Sequence, residues 1–149
     1  MDDIRNFLDE TVGYCIEDLS VGMTARYART VTEADIVLFA GVSGDHNPVH
    51  MNEAYAASTM FKGRIAHGFL SASLISTTIG NRLPGPGTIY LSQNLRFLAP
   101  VRVGDTVEAR VTVTEVFPEK NRVALKTICF VGDKQVVDGD ALVMVPTRG

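Results

Sequence analysis

The spacing of hydrophobic residues divides this chain into two kinds of segment. Met23 to Val31 reads as a strand. Thr32 then opens a helix, with Asp35 placed three residues on to complete a capping box. Ile36, Phe39 and Ala40 form its apolar stripe, and Gly41 and Gly44 weaken and end it. A loop from Asp45 to His50 follows. Pro48 holds Asn47 out of the α region, so Asp45 and His50 do not share one regular helix. A short helix is expected around Glu53 to Ser58. His67 to Leu83 is the second long helix, stopped by Pro84. Phe69, Leu70, Leu74, Ile75 and Ile79 in it are apolar, Gly68, Ser71, Ala72, Ser73, Ser76 and Gly80 are small, and no charge appears before Arg82. A helix apolar or small all round predicts a buried one.

After Gly85-Pro86-Gly87 the period becomes two. Ile89, Leu91, Leu95 and Phe97 would share one face; Val107, Ala109, Val111 and Val113 another. Val123, Leu125, Cys129, Leu142 and Met144 continue the pattern. Pro118 to Asn121 reads as a hairpin loop and Gly132-Asp133 as a two-residue primed turn. Three or four long antiparallel strands therefore follow one buried helix. The simplest arrangement is α+β, a curved antiparallel sheet wrapped around a long central helix.

Length and charge narrow the function. The 149 residues suit one domain with a sizeable core, residues 19–149, behind an acidic leader, residues 1–18, in which Ile4, Phe7 and Leu8 have helical spacing. A net charge of −3 argues against broad nucleic-acid binding, which needs a basic surface. The N-terminus has no apolar signal region, and no apolar run approaches the roughly 20 residues that span a bilayer. Cys15 and Cys129 have no metal-type spacing. A cytoplasmic protein with no metal, no nucleic acid and no membrane partner is expected.

The candidate chemistry lies in Asp45-His46-Asn47-Pro48-Val49-His50 and in His67-Gly68. A carboxylate and an imidazole five residues apart around an Asn-Pro turn can hold one water between them. Gly68, at the start of a helix, offers a free N–H at the positive end of the helix dipole. Adding water to an enoyl thioester needs both: a group to take a water proton, an acid near Cα, and a donor for the charge that builds on the thioester oxygen. Asp45, His50 and Gly68 are the catalytic candidates. His67 is expected to anchor the turn into the helix. Between Glu53 and Asp105 there is no acidic residue, while Lys62, Arg64, Arg82, Arg96 and Arg102 all fall there. That skew suits either a solvated rim or an anionic carrier such as the phosphates of coenzyme A.

These residues resemble the MaoC-like, hydratase 2 family, in particular its short polyhydroxyalkanoate-supplying type. The resemblance runs through Asp45 to His50, Ile65 to Leu70, Gly85 to Leu91 and Val101 to Asp105, and covers roughly residues 19 to 145. It implies the hotdog fold, a homodimer with sheets joined edge to edge, and reversible syn hydration of trans-2-enoyl-CoA to (R)-3-hydroxyacyl-CoA. It implies no cofactor, coenzyme A being part of the substrate. It makes Asp45 and His50 the catalytic pair and Gly68 the oxyanion amide. Asn47 and Ser76 fall at supporting positions.

Three other functions compete: an acyl-carrier-protein dehydratase, a hotdog thioesterase and a non-catalytic acyl-CoA-binding domain. The first two resemble families with a carboxylate on the central helix, and Gly68 to Leu83 has none. A binding domain would have no need of the Asp45/His50 pair.

Overall fold

A computed structural model describes residues 11–149. The expected helix around Ile4, Phe7 and Leu8 lies outside them. Residues that follow it are stitched to the body of the protein. Gly13 and Tyr14 donate main-chain hydrogen bonds to Pro86 and Pro84, Ile16 donates to Pro146, and the Ile16 side chain is buried in the core.

Five strands form one antiparallel sheet: β1 (Thr24–Thr30), β2 (Ile89–Phe97), β3 (Thr106–Phe117), β4 (Arg122–Val131) and β5 (Lys134–Met144), in the order β1-β3-β4-β5-β2. Among the described residues four α-helices precede β2: α1 (Glu33–Ser43), α2 (Pro48–Met51), α3 (Glu53–Ala57) and α4 (Gly68–Asn81). The sheet packs on α4 through β1, β3, β4 and β5. Val107, Ala109, Val111, Val113, Val123, Leu125 and Cys129 face it, and Leu74, Ile75 and Ile79 answer from the helix, all buried. Each such side chain withdrawn from water stabilises the fold by about 1.5–3 kcal/mol. Burial also pushes the Cys129 thiol up to about 12, as an apolar setting does to any acid that ionises to an anion.

The local signals act as expected. Thr32 caps α1: its hydroxyl accepts from the Asp35 N–H at 3.1 Å, and the Asp35 carboxylate accepts from the Thr32 N–H at 2.9 Å. Gly44 closes the helix with a left-handed φ of 79°, a conformation that costs glycine little. Gly132-Asp133 turns β4 into β5 with Val131 opposite Lys134.

Three expectations fail, for physical reasons. Helix α4 is buried on one face only; Phe69, Ser73, Ser76 and Gly80 are exposed in the single chain. Small and apolar residues there reflect what can come to lie on that face, not burial within this chain. Ile89 does not share a face with Leu95 and Phe97, because a bulge at Leu91 shifts the register between Tyr90 and Ser92. An extra residue inverts side-chain parity beyond it. On β5 a second bulge puts Val136 and Val137 both in the interior. Ala141 and Val143 then face the core, and Leu142 and Met144 point to the other face.

Candidate active site

The loop between α1 and α2 places Asp45. Its N–H donates to Ser43 Oγ at 3.1 Å, and one carboxylate oxygen accepts from the Asn47 N–H at 3.2 Å. Asn47 turns the chain: φ −53°, ψ 129° is extended backbone, as the residue before proline requires. Its side-chain oxygen accepts from the Val49 N–H at 3.1 Å, capping α2, with Pro48 at the first helical position where no N–H is needed. The expected loop thus ends at Asn47, and one helical turn carries His50 inward.

His50 is buried, with only 9% of its surface exposed. Its Nδ1 lies 2.8 Å from the Ile65 carbonyl. A carbonyl can only accept, so Nδ1 is the donor, and in the neutral imidazole Nε2 is then the acceptor. The same reasoning fixes His67, whose Nε2 lies 2.9 Å from the Asp45 carbonyl and must donate. His67 has two ring neighbours: its centroid is 4.0 Å from that of His50 and 4.8 Å from that of Phe39, both tilted. Ligand-type atoms of Asp45, His50 and His67 all lie within 4.8 Å of one another. Among the described residues this is the one trio with the composition of a metal site. The same separation suits a water: two hydrogen bonds of about 2.8 Å meeting at a near-tetrahedral angle span about 4.6 Å.

A cavity of about 460 Å³ adjoins this trio. His50, Gly68 and Ser71 line it, among apolar walls from Phe61, Phe97 and Val137. Asp45 is exposed and outside this lining. Gly68 begins α4, so its N–H has no intrahelical acceptor. A Cβ there would lie 2.7 Å from the Phe97 ring, so the ring rests directly on the glycine backbone. The absent side chain at Gly68 thus makes room for Phe97. Two buried polar atoms nearby, His67 Nδ1 and Ser71 Oγ, have no hydrogen-bond partner.

Structure thus brings Asp45, Asn47, His50 and Gly68 together. It does not bring Ser76 to that cavity. Ser76 lines a separate groove with Phe39, Phe69, Ala72, Ser73, Gln93, Leu95 and Phe97. Sequence reasoning assigned His67 only to the helix entry, and it is the residue that touches both Asp45 and His50. His-Gly opening an uncharged helix was the available signal. Of the clustered cations, Arg64 pairs with Glu33 and with Glu53, and Arg102 donates to the Phe61 and Arg64 carbonyls. Arg82 donates to the Arg26 carbonyl. Lys62, next to the cavity wall at Phe61, has no such partner among the described residues.

A loop carboxylate and a buried imidazole one helical turn further on, beside an apolar cavity at the start of a helix that a five-stranded sheet wraps, make up the candidate site, and the architecture is that of the hotdog fold. The chain belongs to the MaoC-like domain family, whose model matches residues 19–139. It is 55% identical to an (R)-specific enoyl-CoA hydratase of Rhodospirillum rubrum, across 95% of this chain and 98% of that one. It is 52% identical to a 3-hydroxybutyryl-CoA dehydratase of Methylorubrum extorquens, across 89% and 84%. Among solved structures, R-hydratase PhaJ1 from Pseudomonas aeruginosa superimposes with a TM-score of 0.86 at 52% identity, covering 91% of this chain and 88% of that one.

Proposed function

We propose that this protein is an (R)-specific enoyl-CoA hydratase, adding water reversibly to trans-2-enoyl-CoA. The observation that carries the reading is the convergence of an Asp45 carboxylate oxygen and ring nitrogens of His50 and His67 within 4.8 Å of one another, beside an apolar cavity that His50 and Gly68 line.

The geometry gives each group a task. A water between Asp45 and His50 Nε2 donates one hydrogen to each. Its oxygen attacks Cβ, and one of the two groups takes its proton. The π electrons move toward the carbonyl, and the thioester oxygen becomes an enolate facing the Gly68 N–H. The protonated group then returns its proton to Cα on the same face, giving syn addition. Atoms and charge balance with water alone and no net redox change, so the reaction calls for no redox cofactor. Each well-placed acid or base is typically worth about 10²–10⁴ in rate. Asn47 acts by pinning the Asp45 carboxylate and capping the turn that carries His50. Ser76 is assigned a supporting role from the groove beyond Phe69.

The substrate class is an acyl-CoA thioester. Lys62, which follows Phe61 of the cavity wall and has no ion pair among the described residues, suits its phosphates electrostatically. A homodimer through the free edge of β2 and a cytoplasmic location complete the reading. The second rests on two free thiols and on the fact that no helix among the described residues is long and apolar enough to cross a membrane.

The test is direct. Crotonyl-CoA should lose its enoyl absorbance with the wild-type protein, and chiral analysis should return the (R)-alcohol. Asp45→Ala and His50→Ala should each lower kcat at least ~10²-fold with unchanged circular dichroism. A flat absorbance with folded wild-type protein would reject hydration and favour a binding domain.

A further inference from the structure

Hydroxyls on α4 bond back to the preceding turn, with one buried exception. Ser73 Oγ donates to the Leu70 carbonyl at 2.6 Å and Thr77 Oγ1 to the Ser73 carbonyl at 3.1 Å. The buried Thr78 Oγ1 donates to the Leu74 carbonyl at 2.7 Å. Ser71 is buried too, and its carbonyl accepts from Cys129 Sγ at 3.4 Å. Its hydroxyl, however, is shut off from solvent and has no hydrogen-bond partner. The buried His67 Nδ1 shares that condition. Both atoms are enclosed within one chain, so a second copy of the chain does not reach them.

The two atoms are complementary. His67 Nε2 donates to the Asp45 carbonyl at 2.9 Å, so in the neutral ring Nδ1 is an acceptor that needs a donor. A serine hydroxyl is such a donor, and it turns about χ1 between staggered positions. The Cα–Cβ bond of a helical residue tilts toward the helix N-terminus. The Ser71 side chain therefore reaches back over the first turn of α4, where His67 stands as the N-cap. Buried polar groups left unpaired are rare and costly. One bond between these two removes both deficits.

We propose that Ser71 is a positioning residue: its hydroxyl donates to His67 Nδ1 and holds the ring in the tautomer that grips the Asp45 main chain. The bond stands on the geometry of α4; its kinetic consequence rests on the hydratase reading. Beyond that bond, His67 Nε2–H reaches the Asp45 carbonyl and the ring lies against His50. The hydroxyl thus acts on both polar partners of the attacking water through one imidazole. The other tautomer would set a bare Nε2 lone pair against the Asp45 carbonyl, two acceptors face to face, and loosen the loop that carries the carboxylate. Ser71 itself touches neither water nor substrate in this arrangement.

The experiment compares wild type with Ser71→Ala, Ser71→Thr and Ser71→Cys by heteronuclear NMR of the histidine rings, urea denaturation and kinetics on crotonyl-CoA. Wild-type His67 should show a protonated Nε2 and a hydrogen-bonded Nδ1. The Nδ1 resonance should move downfield in Ser71→Ala and return in Ser71→Thr, which keeps the hydroxyl. Ser71→Ala should lower kcat about tenfold with KM within about twofold. Ser71→Thr should recover most of the loss, and Ser71→Cys, a weak donor, less. Stability separates a bonded hydroxyl from an orphaned one. Removing a bonded hydroxyl leaves Nδ1 unpaired and lowers the urea midpoint; removing an orphaned one does not. An Nδ1 resonance that stays in place in Ser71→Ala, or a midpoint that does not fall, would overturn the bond. A raised KM with unchanged kcat would put the hydroxyl on the substrate and overturn the positioning role. If wild type hydrates no enoyl-CoA while the resonance moves and the midpoint falls, the bond holds and only the hydratase reading fails.

Discussion

His67 shows how a residue of modest promise in the sequence can be central in the fold. One imidazole holds the Asp45 carbonyl at 2.9 Å and packs on the His50 ring at 4.0 Å. Its N–H and its ring face thus set the relative position of two groups that sequence could name but not place. Spacing made the pair visible because proline excludes a shared helix; it carried nothing about the ring that joins them across more than twenty residues of chain. Gly68 illustrates the converse. Its rationale mixes an amide, which every residue except proline has, with an absent Cβ, which Phe97 requires. The two can be separated. In a Phe97→Ala background the clash is gone, so Gly68→Ala should retain most activity. Gly68→Pro in the same background replaces the N–H by a ring carbon and leaves the local fold: proline suits the first helical position, and His67 already has the extended φ −59°, ψ 135° that a following proline demands. Its kcat should fall about 10²–10³-fold relative to the alanine variant. Equal rates would remove the amide from the mechanism.

At the level of elements, capping signals were read correctly and strand faces only in part. Thr32, Asp35 and Gly44 act through bonds to neighbours a few residues away, so sequence contains the whole interaction. Strand parity depends on bulges at Leu91 and Val136, which follow from how strands fit one another and leave no local mark. The cap of α1 also bears on acid stability. The Arg29 guanidinium, 2.7 Å from Asp35, together with the Thr32 N–H, holds the Asp35 carboxyl down to about 2. A depressed carboxylate stabilises the fold above its unfolded value of about 3.9 and loses that contribution as pH falls toward its folded value. Asp35→Asn should therefore lower Tm at neutral pH and flatten the loss of stability between about pH 4 and pH 2. Thr32→Ala should cost about 1 kcal/mol by urea denaturation. An acid limb in Asp35→Asn as steep as that of wild type would contradict this account.

Among the described residues the sheet of the whole molecule ends in two edge strands, β1 and β2. β2 bonds to β5 alone, and Ile89, Tyr90 and Leu91 along it are exposed. Unprotected edges of this kind pair with another strand, and the apolar exposed face of α4 lies alongside. Sequence periodicity marked α4 as buried all round; the open face fits a surface completed by a second copy, information a single chain's pattern records without saying what covers it. Light scattering after size exclusion should give the mass of two chains, and Ile89→Lys should shift it toward one. A wild-type monomer at micromolar concentration would remove the edge-paired assembly.

The polar groups of the proposed chemistry come from one uninterrupted stretch, Asp45 to Gly68, while much of the apolar wall comes from Phe97 to Val101 and from Val136 and Val137. Substitutions in the second set change what fits without altering how it reacts. Descendants of a duplicated gene can therefore diverge in diet while inheriting the same engine, and catalogues of such descendants should vary more between residues 97 and 101 than between 45 and 50.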